Sequence, residues 1–275
     1  MLENFLSMFT YPFMIRALVV GILLSLCAAL LGVTLVLKRY SMIGDGLSHV
    51  GFGALAVAAV CNAAPLAVAI PVVVISAFFL LRISESSKIK GDSAIAVIST
   101  SALAAGVMVL SLGDGVNTDI YNYMFGSIYA MSGEDMAWSI ALSAMVLVLF
   151  VLLYHRIFAV TFDESFARAA GMRTNVYNMV IAALTAVAIV LGMRMMGAML
   201  ISALIIFPAL TSMRVFKTFR QVMISAAALA VICFFIGITA SYLWDLPGGA
   251  SVVLTHLAAM LLFSLIGLIL RHKKN

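Results

Sequence analysis

Asp45 and His49 stand four residues apart in RYSMIGDGLSHVGFG (39–53), inside an otherwise apolar run. On an α-helix that spacing puts both side chains on one face, one turn apart. A carboxylate oxygen and an imidazole nitrogen so stacked can bind a divalent transition metal. A charged group in a bilayer costs about 2.5–3.5 kcal/mol on insertion scales, so such a pair needs a reason. Gly44, Gly46, Gly51 and Gly53 flank it and let neighbouring helices or a pore approach the backbone. The competing reading makes Asp45 a helix-end carboxylate paired with Lys38 or Arg39. His49 lies about 6 Å deeper along the helix and resists that explanation.

The elements that must position this pair cross a membrane. Of the 275 residues, 65% are hydrophobic and 10% charged, with a mean hydropathy of +1.20. A soluble domain is about 45–50% apolar and about 25% charged, so the composition describes an integral membrane protein. The apolar runs are long enough to cross a bilayer as helices, which disfavours a barrel. The N-terminal MLENFLSMFTYPFM carries Glu3 and no basic region, so no cleavable signal peptide is expected. Cys27, Cys61 and Cys233 form no CxxC pair and indicate neither a disulfide framework nor a thiolate metal site.

The hydropathy pattern predicts an all-α membrane protein, a polytopic bundle of nine spans near 14–37, 41–60, 66–81, 93–112, 136–155, 175–193, 197–213, 221–243 and 251–270. Residues 1–275 read as one transmembrane domain. Lys38, Arg39, Arg82, Lys88, Lys90, Arg156, Arg168, Arg173, Arg214, Lys217, Arg220, Arg271, Lys273 and Lys274 follow alternate spans; only Arg16 and Arg194 fall on the other side. The positive-inside rule then puts the N-terminus outside and the C-terminus in the cytoplasm. The outer loops carry Asp114, Asp119, Glu134, Asp135 and Asp245, ordinary solvated acids or a cation-concentrating rim. The aromatic stretch from Asp119 to Met131 suits a membrane interface.

Two other stretches stand out. RIFAVTFDESFARAAGMRT (156–174) reads as a short amphipathic cytoplasmic helix over about 161–172. Asp163 suits its N-cap, Glu164 its first turn and Gly171 its C′ position. Phe162, Phe166 and Ala169–Ala170 give it an apolar stripe, which rests on the bilayer or docks a partner. In DLPGGASVVLTH (245–256) a tight turn starts the last span, which contains His256. Met193, Met195, Met196 and Met199 could offer thioether ligands but are better read as apolar filler. No Gly-Lys pair occurs, so there is no GxxxxGK[ST] phosphate loop and any ATP-driven work needs another subunit.

Four blocks carry a resemblance: IGDGLSHVGFG (43–53), TFDESFARAAGM (161–172), GAMLISALIIFPAL (197–210) and DLPGGASVVL (245–254). With them the chain resembles the permease subunits of bacterial ABC importers for zinc, manganese and iron. The resemblance implies a type II ABC importer-like bundle in a bacterial plasma (inner) membrane, with a second permease copy, cytoplasmic ATP-binding subunits and an extracytoplasmic metal-binding protein. It implies that Asp45 and His49 line the path of transported Zn2+, Mn2+ or Fe2+, with no permanently bound cofactor. It implies that Asp163, Glu164, Phe166, Ala167 and Gly171 form a coupling helix seated on the ATPase. A permease of this kind is not itself an enzyme, and nucleic acid is not an expected partner. Two other readings remain: a secondary transporter relaying protons through Asp45 and His49, and an intramembrane aspartyl protease, which needs two facing aspartates.

Overall fold

Proline opens two of the long helices and left-handed residues turn the chain between others. Pro12 and Pro65 sit at first helical positions, where a missing N–H costs nothing. Arg39, Asn62 and Asp245 adopt φ values of 61°, 49° and 52° between or at the ends of helices. The computed structural model describes residues 7–86, 91–112 and 133–272. Asp114, Asp119, the aromatic stretch to Met131, Lys88, Lys90, Lys273 and Lys274 lie outside the described residues.

The chain forms α1 (Pro12–Leu37), α2 (Ser41–Val60), α3 (Pro65–Ser86), α4 (Gly91–Leu112), α5 (Gly133–Leu152), α6 (Tyr154–Phe162), α7 (Glu164–Ala169), α8 (Thr174–Met196), α9 (Ala198–Val215), α10 (Phe219–Trp244) and α11 (Gly248–His272). Each of the nine predicted spans meets a helix. Among the described residues seven are long and apolar enough to cross a membrane unbroken. The seventh predicted span, α9, is a shorter apolar helix, and the fifth is bent.

The expectation of one span over 136–155 followed by one helix over 161–172 needs correction. α5 breaks at Leu153 and α6 leaves it at 68°. The apolar face of α6, with Ile157, Val160 and Thr161, is buried, and Phe158 stacks 4.9 Å from Phe219 at the start of α10. Packing α6 against the bundle thus ends the straight span. α6 itself stops at Asp163, whose extended backbone (φ −147°, ψ 95°) is what an N-cap requires, and α7 runs only to Ala169. Phe162 and Phe166 therefore belong to two helices. Glu134, expected in an outer loop, lies in the first turn of α5, where an acid complements the helix dipole.

α2 is held by α3 and α4 on one side and by α8 and α9 on the other. Gly53 and Gly106 allow the α2–α4 crossing: a Cβ on Gly106 would lie 2.9 Å from the Gly53 Cα. The α1–α9 crossing is tighter still, because a Cβ on Gly32 would fall 1.9 Å from the Ile205 carbonyl oxygen. Gly32→Ala should therefore force those backbones apart and cost about 1–3 kcal/mol. A thermal melt unchanged from wild type in detergent would contradict that packing.

Candidate functional site: a carboxylate–imidazole pair and a tethered inner helix

The turn from α1 to α2 sets the depth of the pair. Tyr40 N–H donates to Leu35 C=O at 2.8 Å and Arg39 N–H to Val36 C=O at 3.1 Å, the double bond pattern that closes a helix around a left-handed residue. Holding Arg39 left-handed costs an L-residue about 1–2 kcal/mol, and α2 starts two residues later. Asp45 and His49 then stand on successive turns of α2.

The Asp45 Oδ2 and His49 Nε2 atoms are 3.7 Å apart, and the side chains are 43% and 28% exposed. That gap is too wide for a hydrogen bond. It is close to the separation of two ligands each about 2.1 Å from one metal ion. Ser202 Oγ on α9 donates to the other oxygen, Asp45 Oδ1, at 3.1 Å. One carboxylate oxygen is thus tied to α9 and the other is left toward His49. Met42, Asp45, His49 and Val57 share the open stripe of α2, while Ile43, Gly44, Leu47, Ser48 and Val50 are packed inward. Among the described residues no cluster of three or more His, Cys, Asp or Glu could hold a metal. One chain supplies two such ligands, and a transition ion needs four or more.

Lys38 does not serve Asp45. Its ammonium donates to Glu164 Oε2 at 3.1 Å and to the Asn178 side-chain oxygen, and its side chain is only 7% exposed. The same Glu164 accepts from Arg168 at 3.1 Å and from the Asn178 amide at 3.3 Å. This network ties α7 to the end of α1 and to α8. Burial alone would raise the Glu164 pKa; hydrogen bonds from Asn178 and Lys38, with the charges of Lys38 and Arg168, outweigh it and lower it. A lowered carboxylate pKa stabilises the fold above the ordinary carboxylate value. That contribution is lost as pH falls through the lowered one.

Every predicted residue of α7 has a definite place. Asp163 Oδ1 accepts from Phe166 N–H at 2.9 Å. Gly171 at φ +83°, with Met172 N–H on Ala167 C=O and Gly171 N–H on Arg168 C=O, closes the helix. Ala167 is buried at 1%, whereas Phe162 and Phe166 are 76% and 71% exposed. The two rings therefore pack little within this chain.

Among the described residues no further His, Cys, Asp or Glu joins the pair as a third ligand, and the side chains of Met195 and Met199 lie outside the described residues. Met193 is buried, its methyl filling the space over Gly51, and Met196 is buried too. His256 is buried in α11 with its ring 6.5 Å from Phe207, and it joins Asp45 and His49 in no three-ligand cluster. Ser202 and Asn178 are the residues that sequence reasoning missed. Ser202 lies 157 positions from Asp45, so no helical periodicity could pair them. The sequence offered Lys38 as a partner for Asp45, and it pairs with Glu164 instead.

Ser202→Ala should free Asp45 Oδ1 and weaken metal binding about ten- to hundredfold, as loss of a group orienting a ligand does. Ser202→Thr should keep most of it. Isothermal titration with Mn2+ and Zn2+ checks this; equal affinities for wild type and Ser202→Ala would remove Ser202 from the site.

Residues 10–267 match the model of the ABC 3 transport family. The chain belongs to that family. It is a permease of an ABC transporter, a multi-pass membrane protein. The manganese transport system membrane protein MntC of Halalkalibacterium halodurans is 27% identical over 248 residues, 90% of this chain and 85% of that one. A probable iron transport system membrane protein of Haemophilus influenzae is 29% identical over 279 residues, 100% of this chain and 98% of its own. Among solved structures, PsaBC from Streptococcus pneumoniae in complex with Fab superposes with a TM-score of 0.87 at 26% identity. The match covers 96% of this permease and 95% of that chain.

Proposed function

We propose that this permease carries a divalent transition metal, manganese, zinc or iron, inward across a bacterial plasma membrane, with Asp45 and His49 lining its path. The carrying observation is the Asp45–His49 pair on an open stripe of α2, one carboxylate oxygen anchored by Ser202 and the other 3.7 Å from the imidazole. Relatives named for manganese and iron transport support the class of cargo. Ionisable groups in membrane helices face a bundle interior or a water path rather than lipid. The open stripe therefore faces a second copy of the permease, whose own pair completes the coordination. The cargo binds transiently, and ATP is hydrolysed by cytoplasmic subunits seated on Phe162 and Phe166. An extracytoplasmic protein delivers the metal.

Two competing functions fit less well. A protease of the two-aspartate kind needs a second aspartate beside Asp45; among the described residues Asp92, Asp135, Asp163 and Asp245 all lie at helix ends. A proton-coupled carrier would need no docking surface for an ATPase. The test measures cellular manganese, zinc and iron in strains lacking this gene or lacking the ATPase subunit. We expect the same metal to fall in both strains while the proton gradient persists. Uptake that continues without the ATPase would overturn the reading.

A further inference from the structure

The bend between α5 and α6 leaves a groove of about 620 Å3 between that corner and α10. Its two walls are graded in the same sense. On α10, Arg220, Met223 and Ala227 follow at three- and four-residue spacing and line one face. Arg220 is at the helix start, and Ala227 lies about 10 Å further along the axis. On the opposite wall Tyr154 and His155 begin α6, and Phe150 lies a turn deeper in α5. The polar groups of both walls are thus at the basic end of the bundle, and the apolar ones run toward its middle. Arg220 enters no ion pair among the described residues. His155 is exposed, with its ring edge-on to Tyr154 at 5.5 Å.

We propose that this groove binds one anionic phospholipid. Its phosphate sits against Arg220, His155 and the Tyr154 hydroxyl, and one acyl chain lies along Phe150, Met223 and Ala227. A guanidinium, an imidazole and a phenol lining the same end of one groove match a phosphodiester, for which arginine offers a bidentate fork. The apolar walls below match a chain that stays in the bilayer, which a free phosphate does not have. Basic groups near a membrane surface select anionic lipid headgroups in this way. The lipid would fill the corner that the bend opens, beside the α6–α10 aromatic contact, and so brace the segment leading into α7.

The test titrates delipidated, detergent-purified full chain with phosphatidylglycerol, phosphatidylcholine or inorganic phosphate and counts bound molecules by native mass spectrometry. Wild type should bind phosphatidylglycerol in preference to phosphatidylcholine, and inorganic phosphate should not displace it. Arg220→Gln should weaken phosphatidylglycerol binding about fivefold, the effect of one interfacial cation. Ala227→Trp fills the apolar wall and leaves the charges intact, so it should weaken binding as well. Equal retention of the two lipids by wild type needs no variant and would overturn the assignment. Displacement by phosphate would reduce the groove to an ion site. Displacement when the ATP-binding subunit or a second permease copy associates would make it a protein interface. Either result ends the lipid proposal without touching the transport function.

Discussion

Asp45→Ala and His49→Ala should each abolish metal uptake while the permease still inserts and still binds its ATPase. Asp45 is 43% exposed and His49 28%, so truncating either opens no large cavity. What disappears is half of the two-ligand set this chain offers. Even loss of a group that merely orients a ligand costs about ten- to hundredfold, so loss of the ligand itself should exceed that range. The two variants should also differ. Without Asp45 the Ser202 hydroxyl loses its partner across α2 and α9. Without His49 that contact survives, and Asp45 alone can still attract a cation. Uptake of radioactive manganese or zinc into cells carrying each variant, with membrane abundance measured in parallel, decides the matter. Near-normal uptake by both variants would remove the pair from the path.

Phe166→Glu should uncouple ATP hydrolysis from transport. Phe166 is 71% exposed and Phe162 76% exposed on adjoining short helices, an apolar pair that this chain does not cover. A six-residue helix is far too short to stand alone in water. α7 stands because Asp163 caps it, Gly171 closes it, and Glu164 ties it to Lys38 and Asn178. Those ties join it to α1 and α8, and α8 packs on α2, which carries Asp45 and His49, and on α9, which carries Ser202. Closure of a partner on the two rings would thus be delivered to the site through packed helices. A glutamate at 166 places a charge in that contact and should weaken docking on the order of a hundredfold. It touches neither Asp45 nor His49, so metal binding should persist. Co-purification of the ATPase subunit and metal-stimulated hydrolysis are the measurements. Full values of both for the variant would make α7 a surface helix only.

The sequence by itself determined the class of the protein and the placement of Asp45 and His49 on one helix face. Apolar runs of span length have no stable alternative to helices in a bilayer, and residues four apart on a helix must share a face. The N-cap at Asp163 and the left-handed Gly171 were legible for the same reason: each depends on a residue's own backbone preference. The bend at Leu153 was not legible, because it depends on α6 finding Phe219 at the start of α10. Which partner each charge takes was equally hidden. Lys38 lies seven residues from Asp45, yet it pairs with Glu164, 126 positions away, and Asp45 takes Ser202 instead. Periodicity reports which face of a helix a side chain occupies. Only the packing of helices far apart in the chain decides what stands opposite it, because that choice is made by burial and hydrogen-bond satisfaction across the whole bundle.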